Sequence, residues 1–148
     1  MEPMESGLRY RIRRAARQIG EQHRQIREIE KLLGTAIADR VVEDARNAFG
    51  RYRGAVVAHF ALEEEVFFPA LHGLHPERGG ELEFLTRQHA GFLAELRSLE
   101  SLLGEEPIES FARGFGDLAS SLVAHETKEE HLVSSLAVTR QSEDGSAS

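Results

Sequence analysis

Apolar side chains recur along four stretches of the chain at steps of three and four residues, the spacing of a helix that buries one face. The first stripe runs Leu8, Ile12, Ala16, Ile19, His23, Ile26, Glu30, Leu33, and the second Ala45, Phe49, Tyr52, Val56, His59, Glu63, Val66, Ala70. The third is Leu82, Leu85, His89, Phe92, Leu96, Leu99, Leu103, and the fourth Ile108, Phe111, Phe115, Leu118, Leu122, His125, Glu129, Leu132, Leu136. Breaks fall at Gly34, in the turn-rich stretch 72–80, and at Gly104-Glu105-Glu106-Pro107, where Pro107 suits the first turn of a helix. Four helices of about 25–30 residues, each roughly 40 Å long, predict an all-α chain. Short connections between them predict an antiparallel, up-down four-helix bundle over residues 6–140, with the small, polar segment 141–148 as a flexible tail. Gly50 and Gly54 weaken the start of the second helix, and Pro69 is expected to kink or end it.

The stripes carry six residues that do not belong in an apolar core: His23, His59, Glu63, His89, His125 and Glu129. Burying a carboxylate or an imidazolium alone is costly, so six such groups facing one core need mutual compensation, which metal cations provide. His59 and Glu63, like His125 and Glu129, stand at i and i+4 on one helix face and can reach one centre. The spacing repeats. His23 to His89, His59 to His125 and Glu63 to Glu129 are each 66 residues apart. The neighbours agree: Val57-Ala58-His59 followed by Glu63-Glu64 matches Val123-Ala124-His125 followed by Glu129-Glu130, and Gln22-His23 matches Gln88-His89. The chain reads as two copies of a helix pair, each supplying two His and one Glu, packed about a pseudo-twofold axis. His72 and His75 fall in the turn-rich stretch and His131 on another helix face, so these three are expected to be exposed.

The chain has 148 residues and a net charge of -7, which argues against nucleic-acid binding, and no apolar run long enough for a membrane helix. Arg9, Arg11, Arg13, Arg14 and Arg17 read as the solvated face of the first helix, with Leu8, Ile12 and Ile19 between them. With no Cys, thiolate nucleophiles and thiolate-ligated metal sites are excluded, and a cytoplasmic location is expected.

The spacing of His23, His59-x-x-x-Glu63, His89 and His125-x-x-x-Glu129 resembles the hemerythrin-like HHE cation-binding domain, over residues 6–140. The stretch His59-Phe-Ala-Leu-Glu-Glu-Glu-Val-Phe-Phe-Pro69 is especially similar to that family's second-helix motif. The resemblance implies a four-helix bundle around a non-haem di-iron centre. In it His23 and His59 would bind one iron, His89 and His125 the other, and Glu63 and Glu129 would bridge. Imidazole and carboxylate donors suit Fe, Mn or Zn; iron is the metal the family implies. Oxygen-carrying hemerythrins have a further His four residues after the first on the third helix, where this chain has Leu93. Their fourth-helix carboxylate is an Asp five residues after the His, where this chain has Glu130. Glu129 is preferred as the bridge because it repeats Glu63, with Glu130 as its rival. Two His, two bridging carboxylates and an oxo or hydroxo bridge amount to about five ligands per metal, leaving both irons open to a small molecule.

The four-His, two-Glu set is more similar to the family's sensor and iron-centre-repair branches. Those repair proteins often carry an additional Cys-containing domain, which counts against repair here. The expected function is binding or sensing of O₂, NO or redox state. An oxidoreductase acting on peroxide or NO, or a repair protein, is the alternative. Tyr52, one heptad before His59, and Glu30, one heptad after His23, are placed to tune such a centre.

Overall fold

The computed structural model describes residues 3–105 and 107–147, which form helices and turns and no strand. In chain order these are α1 (Pro3–Ala38), α2 (Val42–Leu62), a π-helical turn (Glu63–Phe67), α3 (Phe68–Leu74), a 3₁₀ turn (Pro76–Arg78), α4 (Gly79–Glu105) and α5 (Ile108–Ala147). The π turn splices α2 to α3, so the chain makes a helical bundle of four rods. α1 lies along α2, the π turn and α3; α4 lies along α5; and α2 closes against α4.

The third stripe is buried from Leu82 to Leu103 and the fourth from Phe111 to Leu136. On α1, Ala15 rather than Ala16 faces inward, and Leu8 and Ile12 are half-buried near the end of the rod. The second stripe holds through Glu63 and departs only at Val66, which is exposed while Phe67 and Phe68 are buried; Ala70 is buried as expected. The π turn is the cause. Phe68 N–H reaches back five residues to the Glu63 carbonyl, so one extra residue is taken up and the downstream face rotates. That wider turn makes room for the Pro69 ring, which in a regular helix would press on the carbonyl four residues earlier. Pro69 therefore neither breaks nor ends the rod, which continues to Leu74.

Other boundaries also differ from expectation. Gly34 lies inside α1, which ends at Ala38. Arg40 N–H bonds to the Ile37 carbonyl (3.1 Å) and Val41 N–H to that of Ala36 (3.0 Å), with Arg40 at φ 58. This is a Schellman cap with Arg in the left-handed place usually taken by Gly. The turn-rich stretch 72–80 shrinks to His75 and the 3₁₀ turn, since α3 holds until Leu74 and α4 starts at Gly79. The α5 backbone is helical as far as Ala147; Ser148, the end of the expected tail 141–148, lies outside the described residues, as do Met1, Glu2 and Glu106.

The core is two apolar clusters rather than one. The larger holds Ile26, Leu33, Phe49, Tyr52, Val56, Phe60, Phe111, Phe115 and Leu122 among others. The smaller packs Ala15, Ile19, Phe67, Phe68, Leu71, Leu82, Leu85, Leu132 and Leu136. Between them lies a belt of buried polar groups. Among the described residues no helix is long and apolar enough to cross a membrane.

Candidate metal centre

Every rod contributes to the belt, because on each the polar residue occupies a stripe position that helix packing turns inward. His59, Glu63, His89, His125 and Glu129 are buried, and His23 is half-buried. Their inner atoms converge. His23 Nε2 faces His59 Nε2 at 3.3 Å, and His89 Nε2 faces His125 Nε2 at 3.1 Å. Glu63 Oε1 lies 3.4 Å from His59 Nε2 and 3.1 Å from His89 Nε2, so this one carboxylate spans both histidine pairs. Glu129 touches His125 Nε2 and comes within 3.8 Å of His89 Nε2. Glu130 is exposed, so of the two rival carboxylates Glu129 alone joins the cluster.

The outer ring nitrogens set the orientation of the inner ones. His59 Nδ1 meets Gln22 Oε1 at 3.0 Å and His125 Nδ1 meets Gln88 Oε1 at 2.7 Å, two contacts that recur 66 residues apart. His89 Nδ1 meets Glu64 Oε2 at 2.8 Å. An amide oxygen or a carboxylate accepts only, so in each ring Nδ1–H donates and Nε2 is the atom left facing inward, with a lone pair whenever the imidazole is neutral. Were both rings neutral, two lone pairs would meet across 3.1 Å at His89 and His125. Both carboxylate oxygens of Glu63 and of Glu129 are buried without a hydrogen-bond partner. Such a set is favourable only with a proton or a cation between its members, so the donors present fit a metal ion.

The electrostatics agree. Burial pushes His59 down to about 3 and drives His23 down. Burial raises Glu63, with help from Glu129 beside it. Burial would raise Glu129 as well, but the close approach of the His125 and His89 rings outweighs it and holds this carboxyl below its usual range. The pair thus holds one proton where two carboxylates crowd together. For His89, burial works downward and the nearby carboxylates of Glu129, Glu63 and Glu64 overcome it, lifting the ring to about 9.

One member of the belt was not foreseen. Glu126 is buried beside His23 and His59, its Oε1 3.8 Å from His23 Nε2, and burial lifts it to about 7. Its Oε2 accepts from Arg27 Nη2, Arg27 Nη1 donates to Glu30 (2.7 Å), and the Tyr52 hydroxyl donates to the same Glu30 oxygen at 3.4 Å. Tyr52 and Glu30 are thereby linked to the belt through Arg27, and Tyr52 is fully buried rather than reaching solvent. Glu126 escaped notice because the residue 66 positions earlier is Phe60, so a search for matching donors passes over it. The apolar Phe60, one turn from Val56, already marks that helix position as core-facing.

The remaining histidines lie apart: His72 and His131 are exposed, while His75 is half-buried beside Glu77. An open groove of about 280 Å³ is lined by Ala16, Ile19, Gly20, Phe67 and Val133 together with His23, Glu129 and Glu130.

A family profile described as the Hemerythrin HHE cation binding domain matches residues 14–137. No curated protein and no solved structure gave a significant match. With most of its length matched, the chain belongs to the hemerythrin HHE cation-binding family.

Proposed function

We propose that this hemerythrin-family chain holds two iron ions in its polar belt and uses them to bind or sense a small diatomic ligand, O₂ or NO. In this reading His23 and His59 hold one ion, His89 and His125 the other, and Glu63 and Glu129 bridge, with the helix pairs antiparallel and related by a pseudo-twofold axis. Bound iron supplies open coordination positions and redox chemistry. The chain's own residues do the rest. Gln22, Gln88 and Glu64 hold the imidazoles with Nε2 inward, so the donors are oriented before any cation arrives. Ile19, Phe67 and Val133 keep one wall of the site apolar, which favours an uncharged diatomic over water or anions.

The observation that supports the ligand class is the groove whose lining includes His23 and Glu129 beside Ile19, Phe67 and Val133. It gives a small, weakly polar molecule a path from solvent to the donors. The test is the visible spectrum of iron-loaded, anaerobically reduced protein as air or NO is admitted and then removed. A charge-transfer band that appears with the gas and vanishes on its removal is expected. Catalytic consumption of peroxide or NO far beyond the metal content would make the chain an oxidoreductase instead.

A further inference from the structure

The 66-residue repeat pairs His23 with His89, His59 with His125, Glu63 with Glu129 and Gln22 with Gln88, but it pairs Glu126 with Phe60. The two halves of the belt differ at this position. Phe60 lies flat on the His89 ring, centroids 3.8 Å apart and planes 10° from parallel. Phe68 stacks over the same ring at 5.9 Å, and Phe92 meets His125 edge-on at 5.4 Å. This half is walled by aromatic rings. In the other half the same place holds a carboxylate that is only 5% exposed. Arg27 takes its Oε2, and its Oε1 is buried without a hydrogen-bond partner. Donor atoms of Glu126, His23 and His59 all fall within 4.8 Å of one another. A lone ion-pair partner of Arg27 would not need its second oxygen turned away from solvent toward two imidazoles.

We propose that Glu126 is an additional metal ligand private to the His23/His59 position, so that the two cations of the centre are held unequally. This rests on the two-metal reading above. One position then has two imidazoles and a terminal carboxylate besides the shared bridges, and the other has two imidazoles within an aromatic wall. The carboxylate-bearing position is harder and more negative, so it takes the first divalent ion and holds it more tightly. Arg27, tied also to Glu30, binds Oε2 alone and leaves Oε1 for the cation.

Titration of the full chain with cobalt(II), followed by its visible d–d absorption and by calorimetry, tests this. Wild-type protein is expected to take two ions in two resolved steps, with His23→Ala removing the tighter. Glu126→Gln, which keeps the shape and removes the charge, should weaken the tighter step about tenfold or more and leave the other unchanged. Arg27→Gln, which breaks the ion pair but keeps the carboxylate, should retain both steps. A Glu126→Gln titration superimposable on wild type overturns the proposal while the two-metal reading stands. Equal losses in Glu126→Gln and Arg27→Gln also overturn it, reducing Glu126 to an ion-pair partner. Uptake of fewer than two ions by the wild-type chain overturns the two-metal reading and this proposal with it. Should Glu126→Gln fail to fold, Glu126→Asp, which shortens the reach at constant charge, carries the same comparison.

Discussion

A histidine ring has two nitrogens, and in this belt the outer one decides what the inner one offers. Because Glu64 accepts from His89 Nδ1 and Gln88 from His125 Nδ1, the inward atoms are the ones left for a cation. His89→Ala is therefore expected to lose about half or more of the bound metal, whereas His131→Ala, at an exposed site, should keep all of it. Elemental analysis of the purified variants decides this. The same measurement on Glu129→Ala and Glu130→Ala should show the greater loss at Glu129, which touches two imidazoles; the reverse would move the bridging role to its neighbour. Proton release gives an independent reading. His89 is lifted to about 9, so at neutral pH the ring carries a proton that a metal ion must displace. The sign follows: uptake releases protons, and affinity climbs as pH rises from about 6 toward 9, flattening above it. Calorimetry in buffers of different ionisation enthalpy counts the protons. At this scale much was legible beforehand, since a His on an apolar stripe is conspicuous and a second copy 66 residues on removes coincidence. Glu126 was not legible, because its partners Arg27 and His23 lie on another rod and its repeat counterpart is Phe60.

At the scale of the element, periodicity reads a helix faithfully only while the pitch stays constant. α4 and α5 keep one pitch, and their stripes are buried as the spacing predicts. The second rod changes pitch at Glu63, and downstream of that point counting by threes and fours selects Val66 where the fold uses Phe67. No local signal other than Pro69 announces the extra residue. Turns show the complementary failure. Gly34 looked like a helix end, yet the chain turns at Arg40, where a Gly would be the ordinary choice. Arg40→Gly should accordingly stabilise the protein by about 1 kcal/mol, the cost of holding a β-carbon in the left-handed region. The exposed Arg40–Glu109 ion pair that it removes contributes little in water. Thermal unfolding should show the midpoint rising by about 2–4 °C, and a fall would mean that the cap does not carry this strain.

At the scale of the whole molecule, the rods are organised around a layer that an apolar core would reject. The carboxylates of Glu63 and Glu129 cost stability unless something compensates them, so bound metal should contribute folding free energy directly. At a free concentration about a thousand times Kd the gain is about 4 kcal/mol. Chelation should therefore lower the unfolding midpoint by well over 5 °C. Glu63→Gln should raise the midpoint of the chelated protein while abolishing the increment that metal gives. If chelator and metal leave the midpoint unchanged, the belt is compensated by protons alone. The helical class and bundle architecture were readable from four stripes. The split of the core into two clusters was not, since it depends on polar residues from all rods meeting at one level.

That split bears on how the chain moves. Two apolar clusters separated by a polar layer behave as two cooperative units, each able to open at its own free energy. The smaller cluster, formed by the chain around Ile19, Phe67, Leu85 and Leu132, buries fewer side chains and is the one beside the groove. Two cations bridged within one centre and held between them by residues from every rod would act as a rivet through both. Amide hydrogens at the two ends of the bundle would then exchange together when the centre is loaded and separately when it is stripped, so that metal sets the cooperativity of the fold as well as its strength.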